Sequence, residues 1–433
     1  TRYMAEFNVG YNGSENFAPG KRFGLFPAVS AGWVLTEENF MQPLKPWLSY
    51  FKLRASYGVV GNDRVSGNYR FLYLPDSYNP STWQGAVESK IGNPDVTWET
   101  AAKQNYGVDA YFINSKLKVN FDYFIERRKD ILTNRKVLPT YLAANLPIAN
   151  IGKVDNKGYE LSVNWRDRIH DFRYHIGFNL AYAKNKIVFQ DEVPYPYDYM
   201  RKTGKPVGQQ MGYKYDGFFS EEDVAKYETE RGKSIPDHGT GYIPKPGDVK
   251  YKDLNNDHKI DQYDVAAIGY PVYPLLTGGI NLGFSYKGFD FSMTWSGATK
   301  VSRLLDDIFR EPFGATDSRS LMKYMIDDMW TPEKGNSAKA PAISFTNKVN
   351  NYRDSDLWLR DASYLRLKNV EIGYNFPKKI LSKINIGSLR VFATGYNLLT
   401  LDKLKIVDPE SRPNGNAMYP VVMVINMGLK VGF

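Results

Sequence analysis

From Val421 to Phe433 the odd positions are Val421, Met423, Ile425, Met427, Leu429, Val431 and Phe433, all apolar, while the even positions end in Asn426, Gly428, Lys430 and Gly432. Side chains alternate across a strand, so this stretch carries one unbroken apolar face and one face of mostly small or polar groups. A tilted strand needs about 9–11 residues to cross a bilayer, and such strands alternate apolar toward lipid with polar toward a lumen. The same period opens the chain, with Tyr3, Ala5, Phe7, Val9 and Tyr11 set against Arg2, Glu6, Asn8 and Asn12.

The alternation recurs. Strands are predicted at 26–35, with Val29, Ala31, Trp33 and Leu35 on one face, and around Phe51, Leu53, Ala55, Tyr57 and Val59. Hairpins follow at 106–112 with 117–125 and at 159–165 with 172–182. A third joins Leu276–Tyr286 to Phe289 onward through Lys287-Gly288. The last strands are read at 364–376, 388–398 and 421–433, with a phase slip between Leu367 and Val370 that predicts a bulge. A short helix is expected near 321–329.

This gives about twelve strands. From the third onward the connections alternate long and short, which places the long loops 61–98, 186–275 and 300–362 on one rim. In an outer-membrane barrel that rim is extracellular and the short turns are periplasmic. The fold class expected is all-β, a transmembrane antiparallel barrel. The alternative is a soluble extracellular β-rich glycan-binding module, in which the apolar stripes form a sandwich core.

Composition changes this picture little. Hydrophobic residues make up 42% and no stretch approaches 18 consecutive apolar residues, which excludes a membrane-spanning helix but leaves a barrel open. The 32 Tyr and 24 Phe favour strands and interfacial aromatic girdles. Cysteine is absent, so disulfides, thiolate metal sites and cysteine nucleophiles are excluded together. The net charge of +9 is spread without a polybasic block, and no nucleic-acid partner is expected. Thr1-Arg2-Tyr3-Met4 is not a signal-peptide start, so the chain is expected to be cytosolic or a piece of a longer one.

Six stretches resemble the carboxyl-terminal half of the SusC/RagA-type TonB-dependent outer-membrane transporters of Bacteroidetes. They are Phe26-Pro-Ala-Val-Ser-Ala-Gly-Trp33, Leu53-Arg-Ala-Ser-Tyr-Gly-Val-Val-Gly-Asn62, Asn156-Lys-Gly-Tyr-Glu-Leu161, Met329-Trp-Thr-Pro-Glu333, Ser363-Tyr-Leu-Arg-Leu-Lys-Asn369 and Val391-Phe-Ala-Thr-Gly-Tyr-Asn-Leu-Leu399. The resemblance implies a barrel of about 22 strands around an amino-terminal plug. It also implies a SusD-like surface lipoprotein as lid, gating by TonB and residence in the outer membrane of a Gram-negative cell. On that reading the plug and roughly ten strands are missing from this chain, which cannot close a barrel alone because lipid does not tolerate bare strand edges. The function expected is active import of large nutrients, oligosaccharide or peptide.

One motif has the spacing of a cation loop. Asp253, Asn255, Asp257, Asp261 and Asp264 stand at positions 1, 3, 5, 9 and 12 of a twelve-residue loop, with the Lys259 carbonyl at position 7 and Ile260 as the apolar anchor. Hard oxygen ligands at those offsets wrap Ca²⁺. His258 replaces the turn glycine and Asp264 the bidentate glutamate, so weak binding is expected; an Asx-rich solvated turn is the competing reading.

No GxSxG, P-loop or HExxH motif occurs, and the pairs Glu221-Glu222 and Asp306-Asp307 read as solvated surface rather than glycosidase carboxylates, so no enzyme is expected. Tyr69, Phe71, Tyr73, Tyr78 and Trp83 could stack on sugars or peptides, or equally pack the loop or face a lid protein.

Overall fold

The computed structural model describes residues 1–64, 74–78, 85–90, 92–136, 147–305, 307–313, 321–344, 347–411 and 421–433. Twelve strands make one antiparallel sheet: β1 Tyr3–Gly13, β2 Phe23–Val34, β3 Leu48–Asn62, β4 Glu99–Phe112, β5 Leu117–Thr133, β6 Ala149–Ile169, β7 Phe172–Phe189, β8 Leu276–Tyr286, β9 Phe289–Thr299, β10 Tyr364–Asn375, β11 Ser388–Asp402 and β12 Val424–Gly432. Their spatial order is their chain order, the up-and-down topology that alternating connection lengths predict. β1 and β12 each have one neighbour, so the sheet is open at both ends.

Register makes the apolar stripe continuous. Tyr3, Phe7 and Tyr11 pair with Trp33, Val29 and Leu25; farther round, Phe121 pairs with Leu161 and Leu161 with Leu180. Val391 pairs with Leu429 at the far end. The stripe stays uncovered: Met427 is 86% and Phe433 99% exposed, and no second sheet packs on it among the described residues. A sandwich core would bury these side chains, so the soluble alternative fails and the outward face requires an apolar solvent. No helix among the described residues is long and apolar enough to cross a membrane.

The predicted bulge is present. Asn369 pairs with Thr294 but Leu367 with Trp295, leaving Lys368 unpaired and shifting the apolar phase from odd positions, Leu365 and Leu367, to even ones, Val370 and Ile372. The expected short helix is Lys323–Asp328. Several strands run well past their predicted ends, β6 to 21 residues and β7 to 18: the ladder continues beyond the regular apolar alternation into mixed stretches such as Lys184–Phe189, where lysines break the pattern.

The core does not lie in the sheet. It lies on the long-loop rim, where Phe218, Val249, Tyr251 and Ile260 from the connection after β7 pack with Val301, Leu305 and Trp358 from the connection after β9 and with Leu404 after β11. A smaller cluster of Phe17, Val96 and Trp98 ties the loops after β1 and β3. The long connections thus share an apolar interior of their own, in keeping with the rule that a long loop without one is uncommon. The connection after β7 includes a helix, Glu221–Glu230, which sequence periodicity did not reveal. Its signal is the reciprocal capping box between Ser220 and Asp223.

Candidate functional site: the lumenal wall and the loop layer

The inward face of the sheet is polar and laced with ion pairs. Arg54 on β3 forks onto Asp109 of β4 at 2.9 and 3.0 Å and reaches Asp122 of β5 at 3.0 Å, while Asn120 donates to Asp109 at 2.7 Å. Gly107 makes room for this: a Cβ there would lie 2.6 Å from the Arg54 guanidinium carbon and 2.7 Å from Asp122 Oδ1. On the opposite flank Arg390 bridges Asp290 and Glu371. Such forks hold neighbouring strands through side chains as well as ladders, and they line the wall with fixed donors and acceptors.

Above this wall Arg366 of β10, only 1% exposed, ties the loop after β11 to the sheet. Its guanidinium pairs with Asp408 and Glu410, and its Nε donates to Thr400 at 2.9 Å. Lys368 and the Tyr364 hydroxyl reach Glu410 at 2.6 and 2.7 Å. Burial pushes the Glu410 carboxyl up, but the bonds from Lys368 and Tyr364 and the Arg366 charge outweigh it and hold that group below its ordinary range. The lysine left unpaired by the bulge is the one that meets Glu410, so the irregularity turns a charge inward.

The two longest connections are joined by a buried polar network. Asp248, fully buried, accepts from Lys245 N and Asn351 Nδ2, both at 2.7 Å; Asn351 Oδ1 accepts from Val249 N at 2.9 Å. Asn350 donates to Val249 O at 2.9 Å and lies 3.0 Å from His238 Nδ1. Since the Asn350 amide nitrogen is committed as donor, its oxygen faces the imidazole and His238 Nδ1 carries the proton. Burial among Phe219, Tyr242 and Tyr251 lowers the His238 pKa to about 4, so the ring is neutral. Neither Asp248 nor Asn350 and Asn351 stood out in the sequence, because their partners lie about a hundred residues away.

The twelve-residue loop keeps its turn but not a ready cation cage. Asp253 accepts from Asn256 N and His258 N, both at 2.7 Å, Asp257 from Lys259 N at 2.9 Å, and Asp261 from Tyr263 N at 2.7 Å. Asn255 Oδ1 accepts from Asp257 N at 3.1 Å, and Asp264, fully buried, from Leu254 N and Asp261 N at 2.7 and 2.9 Å. His258 takes φ 63°, the left-handed conformation for which a glycine is usual at that position, and Ile260 is buried. Burial raises the Asp264 carboxyl pKa, with Asp253 and Asp261 adding to the effect. Among the described residues no three His, Asp or Glu side chains converge as a metal-ligand set.

Of the loop aromatics, Tyr69, Phe71, Tyr73 and Trp83 lie outside the described residues, and only the backbone of Tyr78 is described, pairing with Gly85 in a short hairpin. Asp306 lies outside them too, as does the side chain of Asp307; Glu222 pairs with Lys226 one turn along its helix, the solvated arrangement expected of it.

Comparison with known proteins agrees with this architecture. Residues 2–398 match the family described as TonB dependent receptor-like, beta-barrel. TonB-dependent receptor P3 of Formosa agariphila is 29% identical over 466 residues, covering 100% of this chain and 44% of its own length. TonB-dependent receptor SusC of Bacteroides thetaiotaomicron is 26% identical over 452 residues, covering 100% of this chain and 42% of its own. The chain therefore spans less than half the length of these relatives. Among solved structures, the RagAB peptide transporter superposes with a TM-score of 0.80 at 24% identity, across 100% of this chain and 46% of that one.

Proposed function

The chain belongs to the TonB-dependent receptor β-barrel family, and on that footing we propose that it is the carboxyl-terminal wall of an importer for large nutrients, oligosaccharides or peptides. Receptors of this SusC type are outer-membrane proteins of Bacteroidetes and are not enzymes. The missing half supplies the plug and the remaining strands, TonB acts through that half, and a SusD-like lipoprotein covers the loop rim. The observation that carries the proposal is the division of the molecule: an outward apolar band, an inward polar wall, and long connections folded over one rim around their own core. In support of a lid and of large cargo stand the RagAB neighbours, which are described as a peptide importer.

The test is uptake. In cells carrying the complete transporter and its neighbouring surface lipoprotein, labelled oligosaccharides or peptides should accumulate only while TonB is energised and both proteins are present. Uptake that persists without TonB would reduce the molecule to a passive pore, and a transporter that never co-purifies with a lipoprotein would remove the lid.

The twelve-residue loop enters the proposal as a weak Ca²⁺ site that stiffens the extracellular layer. Supporting it are four carboxylates and one amide within twelve residues at the offsets a hard cation uses, together with the Lys259 carbonyl. Their oxygens already accept backbone amides, so the ion would have to share them. Isothermal titration of the full-length protein with millimolar Ca²⁺, giving no heat that Asp253→Asn and Asp257→Asn abolish, would eliminate the site.

A further inference from the structure

Four tyrosines stand side by side on the outward face: Tyr106 of β4 pairs with Tyr123 of β5, Tyr123 with Tyr159 of β6, and Tyr159 with Tyr182 of β7. Tyr159 and Tyr182 stack with ring centroids 5.3 Å apart. The row fixes a height. From Phe172 at the short-turn end, the even residues of β7 are apolar or aromatic up to Tyr182. Ten residues at ~3.4 Å each, tilted ~45°, span about 24 Å, close to the ~25 Å of an outer-membrane barrel's apolar band. Phe172 and Tyr182 therefore mark the two edges of the hydrocarbon.

Directly above the row, on the same face, the side chains become cationic. Lys157 of β6 pairs with Lys184 of β7, and in the next row Arg127, Asp155 and Lys186 stand abreast on β5, β6 and β7. By the same rise and tilt, Lys184 and Lys186 sit about 5 and 10 Å beyond Tyr182, at headgroup depth. All four basic side chains are exposed, and none lies within an ion-pair distance of a carboxylate among the described residues. Nor is this how the strands treat charge elsewhere: on the inward face, Arg54 and Arg128 are paired with acids. Lys300, at the end of β9, adds a fifth cation with its ammonium 5.3 Å from the Tyr182 ring. The outward upper ends of β1 and β2 and the residue that leads into β12 are apolar instead, with Tyr11, Leu25 and Met423. The patch is therefore confined to one sector of the wall.

We propose that Arg127, Lys157, Lys184 and Lys186 form a binding site for the phosphate groups of an outer-leaflet glycolipid, whose acyl chains lie on the apolar band below the tyrosine row. Among the described residues, four cations without an acid partner stand against the one carboxylate in their rows, Asp155, and complement a phosphorylated headgroup. Guanidinium and ammonium donors at two heights suit a phosphate held at the interface, and the tyrosines seat the junction of headgroup and chain. The site would hold lipid against one sector of the wall without touching the lumen.

The experiment is native mass spectrometry of the complete, detergent-solubilised transporter titrated with lipid A and with enzymatically dephosphorylated lipid A. The wild-type protein is expected to prefer the phosphorylated form by about tenfold or more, with the preference shrinking as ammonium acetate is raised. The R127Q/K157Q/K184Q/K186Q variant should lose the preference while keeping its heat-modifiable barrel mobility, and R127K/K157R/K184R/K186R should retain it. The double variant K184Q/K186Q, a smaller perturbation of β7, should lose part of it. Equal binding of the two lipids by the wild type, or a preference that survives the glutamine substitutions, would overturn the assignment.

Discussion

Arg366→Met tests whether the loop after β11 is held to the wall by charge. The substitution keeps the length and most of the apolar stem but removes a guanidinium that contacts Asp408, Glu410 and Thr400. Removing one partner of a buried pair costs ~3–5 kcal/mol because the remaining charge is left without compensation. Here the Asp408 and Glu410 side chains keep 13% and 24% exposure and Glu410 keeps Lys368, so the low end, about 3 kcal/mol, is expected. If that energy resists local opening, protection of the 403–411 amides should fall by roughly 150-fold in the variant. Hydrogen exchange read by mass spectrometry on the complete transporter measures it, with the β8–β9 hairpin as an internal standard. Adding Asp408→Asn and Glu410→Gln to the variant should recover part of the protection, since the orphaned charges go with them. Protection in 403–411 that changes less than about fivefold, or no recovery on neutralising the acids, would refute the latch.

Other expectations follow from the same packing. Gly158→Ala would place a Cβ 2.0 Å from the Tyr182 carbonyl oxygen and 3.0 Å from Ala183 Cα, so backbone must move; the yield of heat-modifiable barrel should drop sharply, and normal assembly would disprove the clash. His238 has a folded pKa of about 4 against about 6.5 unfolded, so the unfolded loop layer binds the extra proton between those values. Its stabilising contribution is complete above about pH 6.5 and shrinks by up to roughly 3 kcal/mol as pH falls to about 4. His238→Gln should flatten that dependence in loop-layer exchange, and an unchanged slope would show another group responsible. Trp358→Ala removes a buried ring whose indole donates to Asn351 O at 2.9 Å. It should cost ~3–5 kcal/mol, raising protease cleavage in the long connections while leaving barrel strands protected.

Alternation along the chain was enough to place twelve strands in order, to set the odd residues of Val421–Phe433 outward, to locate the bulge near Lys368 and to sort the connections by rim. Each of these depends on a period of two and on turn residues, which are local properties of the chain. The tertiary structure alone decided who meets whom. Arg366 finds Asp408 and Glu410 more than forty residues on, and Asp248 finds Asn351 across 103. The four tyrosines align only once the register of four strands is set. Strand patterning specifies a face but not a partner, and a loop's polar residues declare nothing until another loop buries them; pairing and burial are properties of the whole molecule.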